Sequence, residues 1–118
     1  MKRAKLMVLV LSVVSALPVQ AATRFVNGNV VRTLVADQER FGGCMAKLDR
    51  ALSDYFLDCP GSWVSFSCSG VFTTKDIAYR MFDSAQMAFA LGRSVNVQVD
   101  DTKKHNGHCY AQRIDVLQ

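Results

Sequence analysis

The 118-residue chain has 14 Lys+Arg against 10 Asp+Glu, a formal net charge of +4. Three of those cations, Lys2, Arg3 and Lys5, lie in an N-terminal segment with the pattern of a removable leader, so that 14 less three leaves 11 cations against 10 anions. The net charge of the remaining chain is close to zero, and its sequence shows no basic stripe of the kind that binds a phosphate backbone. This argues against nucleic-acid binding by charge. Residues 22–118 are enough for one domain and too few for two.

The N-terminus follows the order of a secretory signal peptide. Basic residues precede an apolar run over residues 6–14, and Pro18 and then Val19-Gln20-Ala21 follow it. This order predicts cleavage after Ala21, with a signal peptide at 1–21 and a single domain at 22–118. The run is far shorter than the ~20 residues that cross a bilayer. We therefore expect a periplasmic or secreted protein without a membrane span after the signal is removed.

Four cysteines lie in the predicted domain: Cys44, Cys59, Cys68 and Cys109. An even number of cysteines in an exported chain predicts disulfide bonds, here two. Zinc binding is the alternative, but no two of these cysteines have the two-residue spacing of a zinc knuckle. The sequence therefore predicts a small domain stabilised by two disulfides.

Three strands are predicted in the first half of the domain. Residues 29–36 are β-branched and apolar, and residues 63–69 alternate strictly between apolar and polar side chains, except for one tryptophan. Residues 44–52 also alternate, although their composition would suit a helix. The alternation favours a strand for this segment as well.

The clearest helix is predicted after the third strand. Thr73 is a suitable N-cap, Asp76 lies three positions on as in a capping box, and Gly92 is a suitable C-cap. Apolar side chains recur between them at intervals of three and four, which predicts one buried stripe. The members of this stripe are Ala78, Met81, Phe82, Ala85, Ala88 and Phe89.

The last two strands are predicted to form a hairpin. Residues 94–100 alternate, and the Asn-Gly step at 106–107 favours a type I′ turn because both residue types tolerate positive φ. A hairpin centred on that step pairs Val99 with Ile114. The apolar faces of both strands then match, as a correct register requires.

Five short strands with one helix between the third and the fourth is the element order of an OB-fold. We therefore predict an α+β, mainly β domain, a small OB-fold-like five-stranded barrel. If the second and third strands form a hairpin with its loop near residue 56, Cys44 lies opposite Cys68. In an OB-fold the third strand also runs parallel to the fifth, which brings Cys59 near Cys109. The pairing Cys44–Cys68 with Cys59–Cys109 is favoured, and Cys44–Cys59 with Cys68–Cys109 is the alternative.

Residues 64–99 resemble the receptor-binding B subunits of the subtilase-cytotoxin and typhoid-toxin type, through S-F-S-C-S-G, F-D-S-A-Q-M-A-F-A-L and G-R-S-V-N-V-Q-V. The resemblance implies an exported OB-fold that binds sialylated glycans, with a homo-oligomer, a pentamer ring, as its assembly. It ends after Asp100, where D-D-T-K-K-H-N-G-H-C-Y differs from the family, so no glycan-contacting residue is carried over. The whole chain also resembles uncharacterised small exported proteins of Gram-negative bacteria, which implies no activity.

Trp63 is the leading candidate for a binding residue. Alternation places it on the face opposite Val64 and Phe66, outside the core and beside serines. An exposed tryptophan beside serines is suited to stacking on a sugar or contacting a protein, and packing under the helix or the 53–62 loop is the alternative. The full set of candidate binding residues is Trp63, Ser65, Ser67, Tyr55 and Tyr110.

The polar segment 100–108 is a weaker candidate for a metal site. Asp101, His105 and His108 offer carboxylate and imidazole ligands, which suit zinc or copper. A solvated hairpin tip is the favoured alternative, because an Asn-Gly turn needs polar neighbours. We expect no resident cofactor.

No catalytic set is evident in the sequence, so we expect a binding protein rather than an enzyme. The serines have no glycine elbow around them, and no carboxylate pair lies in a context that would separate its pKa values. The first hypothesis is an exported module that binds a glycan or a protein partner. The second is a periplasmic inhibitor or stress protein that docks to another protein, and the third is a metal-binding protein that uses residues 100–108.

Overall fold

The computed structural model describes residues 12–15, 22–37 and 39–118. The predicted signal peptide, 1–21, lies outside the described residues except for 12–15, which have no regular structure. The elements of the domain are β1 (Thr23–Val35), β2 (Cys44–Leu48), β3 (Trp63–Ser65), α1 (Lys75–Leu91), β4 (Ser94–His105) and β5 (His108–Val116), with a 3-10 helix (Leu52–Tyr55) between β2 and β3. The predicted order of three strands, one helix and two strands is confirmed.

The five strands form one mixed sheet. Its order is β1-β2-β3-β5-β4, and β4 also pairs with β1, so the ring of pairings is closed. All neighbours are antiparallel except β3 and β5, which pair in parallel at Ser65 and Tyr110. The predicted parallel contact between the third and fifth strands is therefore confirmed.

Strand lengths differ from the predicted ones. β1 begins at Thr23 rather than at residue 29, because its first half pairs with β4 from Thr23↔Asp100 to Asn29↔Ser94. β2 ends at Leu48, and β3 ends at Ser65 instead of residue 69. Ser67 has a φ of 60°, in the left-handed region, which a continuing strand cannot contain.

Helix α1 covers the core where the inner faces of the strands meet. Thr74, rather than Thr73, is its N-cap, since the Thr74 hydroxyl accepts a hydrogen bond from the Ile77 N–H at 3.3 Å. Gly92 ends the helix with a φ of 63°, as predicted. Phe89 is half-exposed, so its prediction as a member of the buried stripe is wrong; it lies at the edge of that stripe in the last turn.

The β4–β5 hairpin turns at 106–107, where both residues have positive φ, as the Asn-Gly step predicts. Its register differs from the predicted one, because Val99 pairs with Ala111 and Ile114 pairs with Val97. Residues 101–103 have no partner on β5, and a second irregularity follows near the middle of β5. The two irregularities displace the register by two residues in total relative to the predicted hairpin. Because side chains alternate with a period of two, an even displacement keeps the apolar faces of β4 and β5 on the same side of the sheet.

Both disulfides connect distant parts of the chain. The bonds are Cys44–Cys68 and Cys59–Cys109, with Cα–Cα distances of 5.6 and 5.8 Å. This is the pairing that the predicted fold favours. Two disulfides indicate an oxidising environment outside the cytoplasm. Within the described ranges, no helix has the length and apolarity to cross a membrane.

The reason for the first pairing differs from the predicted one. β2 and β3 pair through Ala46↔Val64 and its neighbours, so the residue opposite Cys44 is Phe66, whose N–H donates to the Cys44 carbonyl at 3.2 Å. The chain then turns at Ser67. That turn, and not a continuing strand, brings Cys68 back to Cys44.

Candidate functional site

The described part of the chain has an open groove of about 170 Å³ on the outer side of the sheet. The groove crosses β1, β2 and β3 and is bounded by the β1–β2 turn and the start of β5. Its lining residues are Arg32, Leu34, Phe41, Met45, Trp63 and His108.

Strand register forms the floor of this groove. Arg32 on β1 pairs with Lys47 on β2, which in turn pairs with Trp63 on β3. Two residues along, Leu34 pairs with Met45. Residues two apart on a strand lie on the same side, so these two rows form one outward surface over three strands.

Trp63 lies on this outward surface, half-buried, while Val64 and Phe66 are fully buried on the inner side. The guanidinium carbon of Arg32 lies over the indole, 5.7 Å from the ring centroid. Such a cation–π contact contributes about 0.5–1 kcal/mol at an exposed site. The pair presents an apolar ring beside a group of hydrogen-bond donors, which is suited to a ligand with both kinds of surface.

Phe41 forms one wall of the groove and is held by its backbone. Its φ is 54°, its N–H donates to the side-chain oxygen of Asn106 at 2.7 Å, and its carbonyl accepts from the Ser65 hydroxyl at 2.6 Å. Its ring packs edge-on against His108, with the centroids 5.6 Å apart. Two segments that are distant in sequence, β3 and the β4–β5 hairpin, therefore fix the position of this wall.

Ser65 and Ser67 do not line the groove, although the sequence predicted both as binding residues. Both have 0% of their surface exposed. Ser65 supports Phe41, and the Ser67 hydroxyl lies 2.9 Å from His105 Nε2 and accepts from the Phe72 N–H at 3.1 Å. The alternating pattern was misleading here because the β1–β2 turn and the chain after β3 cover the outer face of these serines.

His105 is packed beside the groove and is not part of its lining. Its ring lies 4.6 Å from that of Phe72, centroid to centroid, and burial lowers the pKa of the imidazole. The Ser67–His105 pair resembles a nucleophile and its base, but the buried hydroxyl presents no nucleophile to solvent. The contact instead ties β4 to the turn after β3.

Neither predicted tyrosine lines the groove. The Tyr55 hydroxyl donates to the Asn27 carbonyl at 3.1 Å, which ties the 3-10 helix to β1. Tyr110 is 4% exposed, and burial raises the pKa of its phenol. Its ring packs against Phe72 at 5.4 Å. Both tyrosines thus make contacts within the domain, and their binding role stays a prediction.

Asp101, His105 and His108 do not converge on one point. The two oxygens of Asp101 accept from the backbone N–H groups of Ala22 and Asp58, at 3.0 and 3.1 Å. His105 and His108 are partners across the hairpin, but His105 contacts Ser67 whereas His108 faces the groove. The part of the chain that the structure describes holds no cluster of three or more His, Cys, Asp or Glu suited to a metal ion.

His108 is the one polar-segment residue that reaches the groove. Its Nδ1 is buried and has no hydrogen-bond partner among the residues that the structure describes. Because this nitrogen is closed to solvent, a ligand in the groove would contact other atoms of the His108 ring.

Sequence reasoning identified Trp63 but not Arg32, Leu34, Phe41 or Met45. The signal for the first two was present, since positions 32 and 34 share a face of the predicted first strand. Nothing in the sequence placed that face beside Trp63.

Comparison with protein families, curated proteins and solved structures finds no match to this chain.

Proposed function

We propose that the domain is an exported OB-fold binding module that holds a saccharide in the groove over Trp63. The strand order, the parallel β3–β5 contact and the position of α1 support the OB-fold assignment. The resemblance to toxin B subunits supports a glycan as ligand. The observation that carries the proposal is the location of the groove.

OB-folds bind oligosaccharides and oligonucleotides on the face of their second and third strands, between the loops that join strands 1–2 and 4–5. Here the groove has Met45 on β2 and Trp63 on β3 as its floor. Phe41 comes from the β1–β2 turn, and His108 comes from the β4–β5 hairpin. The small net charge of the domain argues against an oligonucleotide and leaves the saccharide.

The chemistry of the lining supports the same ligand class. The apolar face of a pyranose ring can stack on the part of the Trp63 indole that Arg32 and the strands leave exposed. Arg32, which lies over the same indole, supplies several N–H donors, which suit the hydroxyl or carboxylate oxygens of a sugar. Among the described residues, those that line the groove include no carboxylate that would compete for these donors.

A glycan array with the disulfide-bonded protein, followed by calorimetric titration of each glycan that binds, tests the proposal. Trp63→Ala should weaken binding roughly 30-fold or more, as the loss of an interfacial aromatic anchor costs about 2 kcal/mol or more. Arg32→Gln should also lower the affinity for the glycan.

The chain offers a matched control. Arg113 lies over the ring of Phe25, 5.6 Å from its centroid, on another part of the surface. Phe25→Ala removes the same kind of contact and should leave the affinity unchanged. Absence of binding to every glycan, or an equal loss in the Phe25 and Trp63 variants, would contradict the proposal. A native mass spectrum of the same sample tests for the homo-oligomer that the resemblance implies.

A second candidate, a periplasmic inhibitor or stress protein that docks to another protein, is favoured by one observation. Met87 and Leu91, four residues apart and therefore neighbours on α1, are each more than half exposed, and exposed apolar patches often mark protein contacts. If this candidate is correct, a partner retained from periplasmic extract should be lost with Met87→Lys and kept with Trp63→Ala. The reverse pattern favours the groove.

A further inference from the structure

A carboxylate holds the first residue after the predicted cleavage point. The backbone N–H of Ala22 donates to Asp101 Oδ1 at 3.0 Å, and the N–H of Asp101 donates to the Ala22 carbonyl at 3.1 Å. Ala22 is also partly buried and packs against the hydrophobic core. Among the described residues, the ordered contacts of the domain therefore begin at Ala22, whose N–H and carbonyl are both hydrogen-bonded to Asp101.

Asp101 is oriented for this contact from two sides. It lies in the stretch of β4 that has no partner on β5, and the bulge directs its side chain toward the start of β1. Its second oxygen, Oδ2, accepts from the Asp58 N–H at 3.1 Å. The neighbouring charges are engaged with other groups, since the Asp58 carboxylate pairs with Lys104 at 3.4 Å and Asp100 accepts from the N–H and hydroxyl of Thr102.

We propose that Asp101 is the binding site for the N-terminal ammonium group that export creates. Hydrolysis of the Ala21–Ala22 peptide bond by a signal peptidase consumes one water, leaves a carboxylate on Ala21 and an amine on Ala22. That amine is protonated at neutral pH. The neutral amide donor of this hydrogen bond becomes a charged ammonium donor, so an ion pair with the Asp101 carboxylate replaces a hydrogen bond that was charged only on the acceptor side.

The consequence is that cleavage strengthens the mature domain. The ammonium ties the start of β1 to the bulge of β4, and the same carboxylate reaches Asp58, beside the Cys59–Cys109 disulfide. The position of the cut matters, because each residue of extended chain spans about 3.5 Å. A cut one residue to either side would place the ammonium beyond hydrogen-bond distance of Asp101.

Four proteins test the proposal in a double-mutant cycle: the protein that starts at Ala22, the same protein extended by Gln20-Ala21, and Asp101→Asn in each. N-terminal sequencing of the exported wild-type protein should give Ala22 as the first residue. Asp101→Asn should lower the Tm of the Ala22 protein by about 2–6 °C more than that of the extended protein. Asp115→Asn, which breaks an ion pair with Arg113 at 2.9 Å, is the control and should act equally on both.

Acetylation of the N-terminus of the folded protein is a second measurement that needs no N-terminal extension. It removes the charge and keeps one N–H, so it should lower the Tm of the wild-type protein and leave that of Asp101→Asn unchanged. A first residue other than Ala22, or an equal effect of Asp101→Asn with and without the extension, would overturn the proposal. Asp101 would then serve only to bind backbone amides.

Discussion

Substitution by alanine should lower the free energy of unfolding far more at Phe82 than at Phe89, although the two rings on α1 are of equal size. Phe82 is 3% exposed, and its ring lies 6.3 Å from that of Phe66, centroid to centroid, whereas Phe89 is 50% exposed. Truncating a buried phenylalanine to alanine costs about 3–5 kcal/mol, because a cavity remains in the core. A half-exposed ring loses about half of its transfer free energy, on the order of 1 kcal/mol. We therefore expect the two substitutions to differ by roughly 2–4 kcal/mol.

Urea denaturation of Phe82→Ala and Phe89→Ala, with both disulfides intact, measures this difference. The slopes against urea must agree if the two variants unfold to the same state. In thermal denaturation, Phe82→Ala should unfold about 10 °C or more below Phe89→Ala, since each kcal/mol shifts the Tm of a domain of this size by about 4–8 °C. Equal costs would show that Phe89 belongs to the buried stripe and that the orientation of α1 described above is wrong.

Two further predictions concern His105 and the disulfides. Burial holds the pKa of His105 below its ordinary value of 6.5, so the unfolded chain takes up a proton below pH 6.5 that the folded protein resists. The stabilising contribution is complete above pH 6.5 and is lost as the pH falls toward the lowered pKa. Urea titrations at pH 7 and pH 5 should therefore show a larger fall in the free energy of unfolding for the wild-type protein than for His105→Gln. Equal falls in the two proteins would refute this prediction. Replacing Cys59 and Cys109 by alanine opens a loop of 50 residues and should cost about 4 kcal/mol by the chain-entropy model, against about 3.5 kcal/mol for the 24-residue Cys44–Cys68 loop. Denaturation of the two double variants measures both costs, and a stable Cys59/Cys109 variant would contradict the estimate.

Features that depend on neighbouring residues could be predicted from the sequence. The left-handed φ at Gly92, the positive φ at Asn106 and Gly107, and the inward position of Val64 each follow from local chemistry or from the period of a strand. The exact partners across the sheet could not be predicted, because bulges leave little trace in the pattern of apolar residues. The β4–β5 register illustrates this, since a displacement by two residues keeps Val97 facing an apolar residue on β5.

The candidate site was predicted only in part for the same reason. Trp63 could be assigned to the outer face because a strand alternates with a period of two. The serines beside it were assigned to solvent by the same rule, and the structure buries them under Phe41 and the chain after β3. Alternation tells which way a side chain points but not what another segment places over it.

Local patterns in the sequence were enough to predict the order of the strands and of α1 in the described domain, and the end of that helix at Gly92. These depend on propensity, periodicity and caps within a few residues. The meeting of Arg32, Phe41 and His108 with Trp63 in the groove depends on long-range strand pairing, since it requires β1 to pair with β2, β2 with β3, and β3 with β5. Contacts between residues far apart in the chain are set by the closing of the sheet as a whole, and no local pattern encodes them.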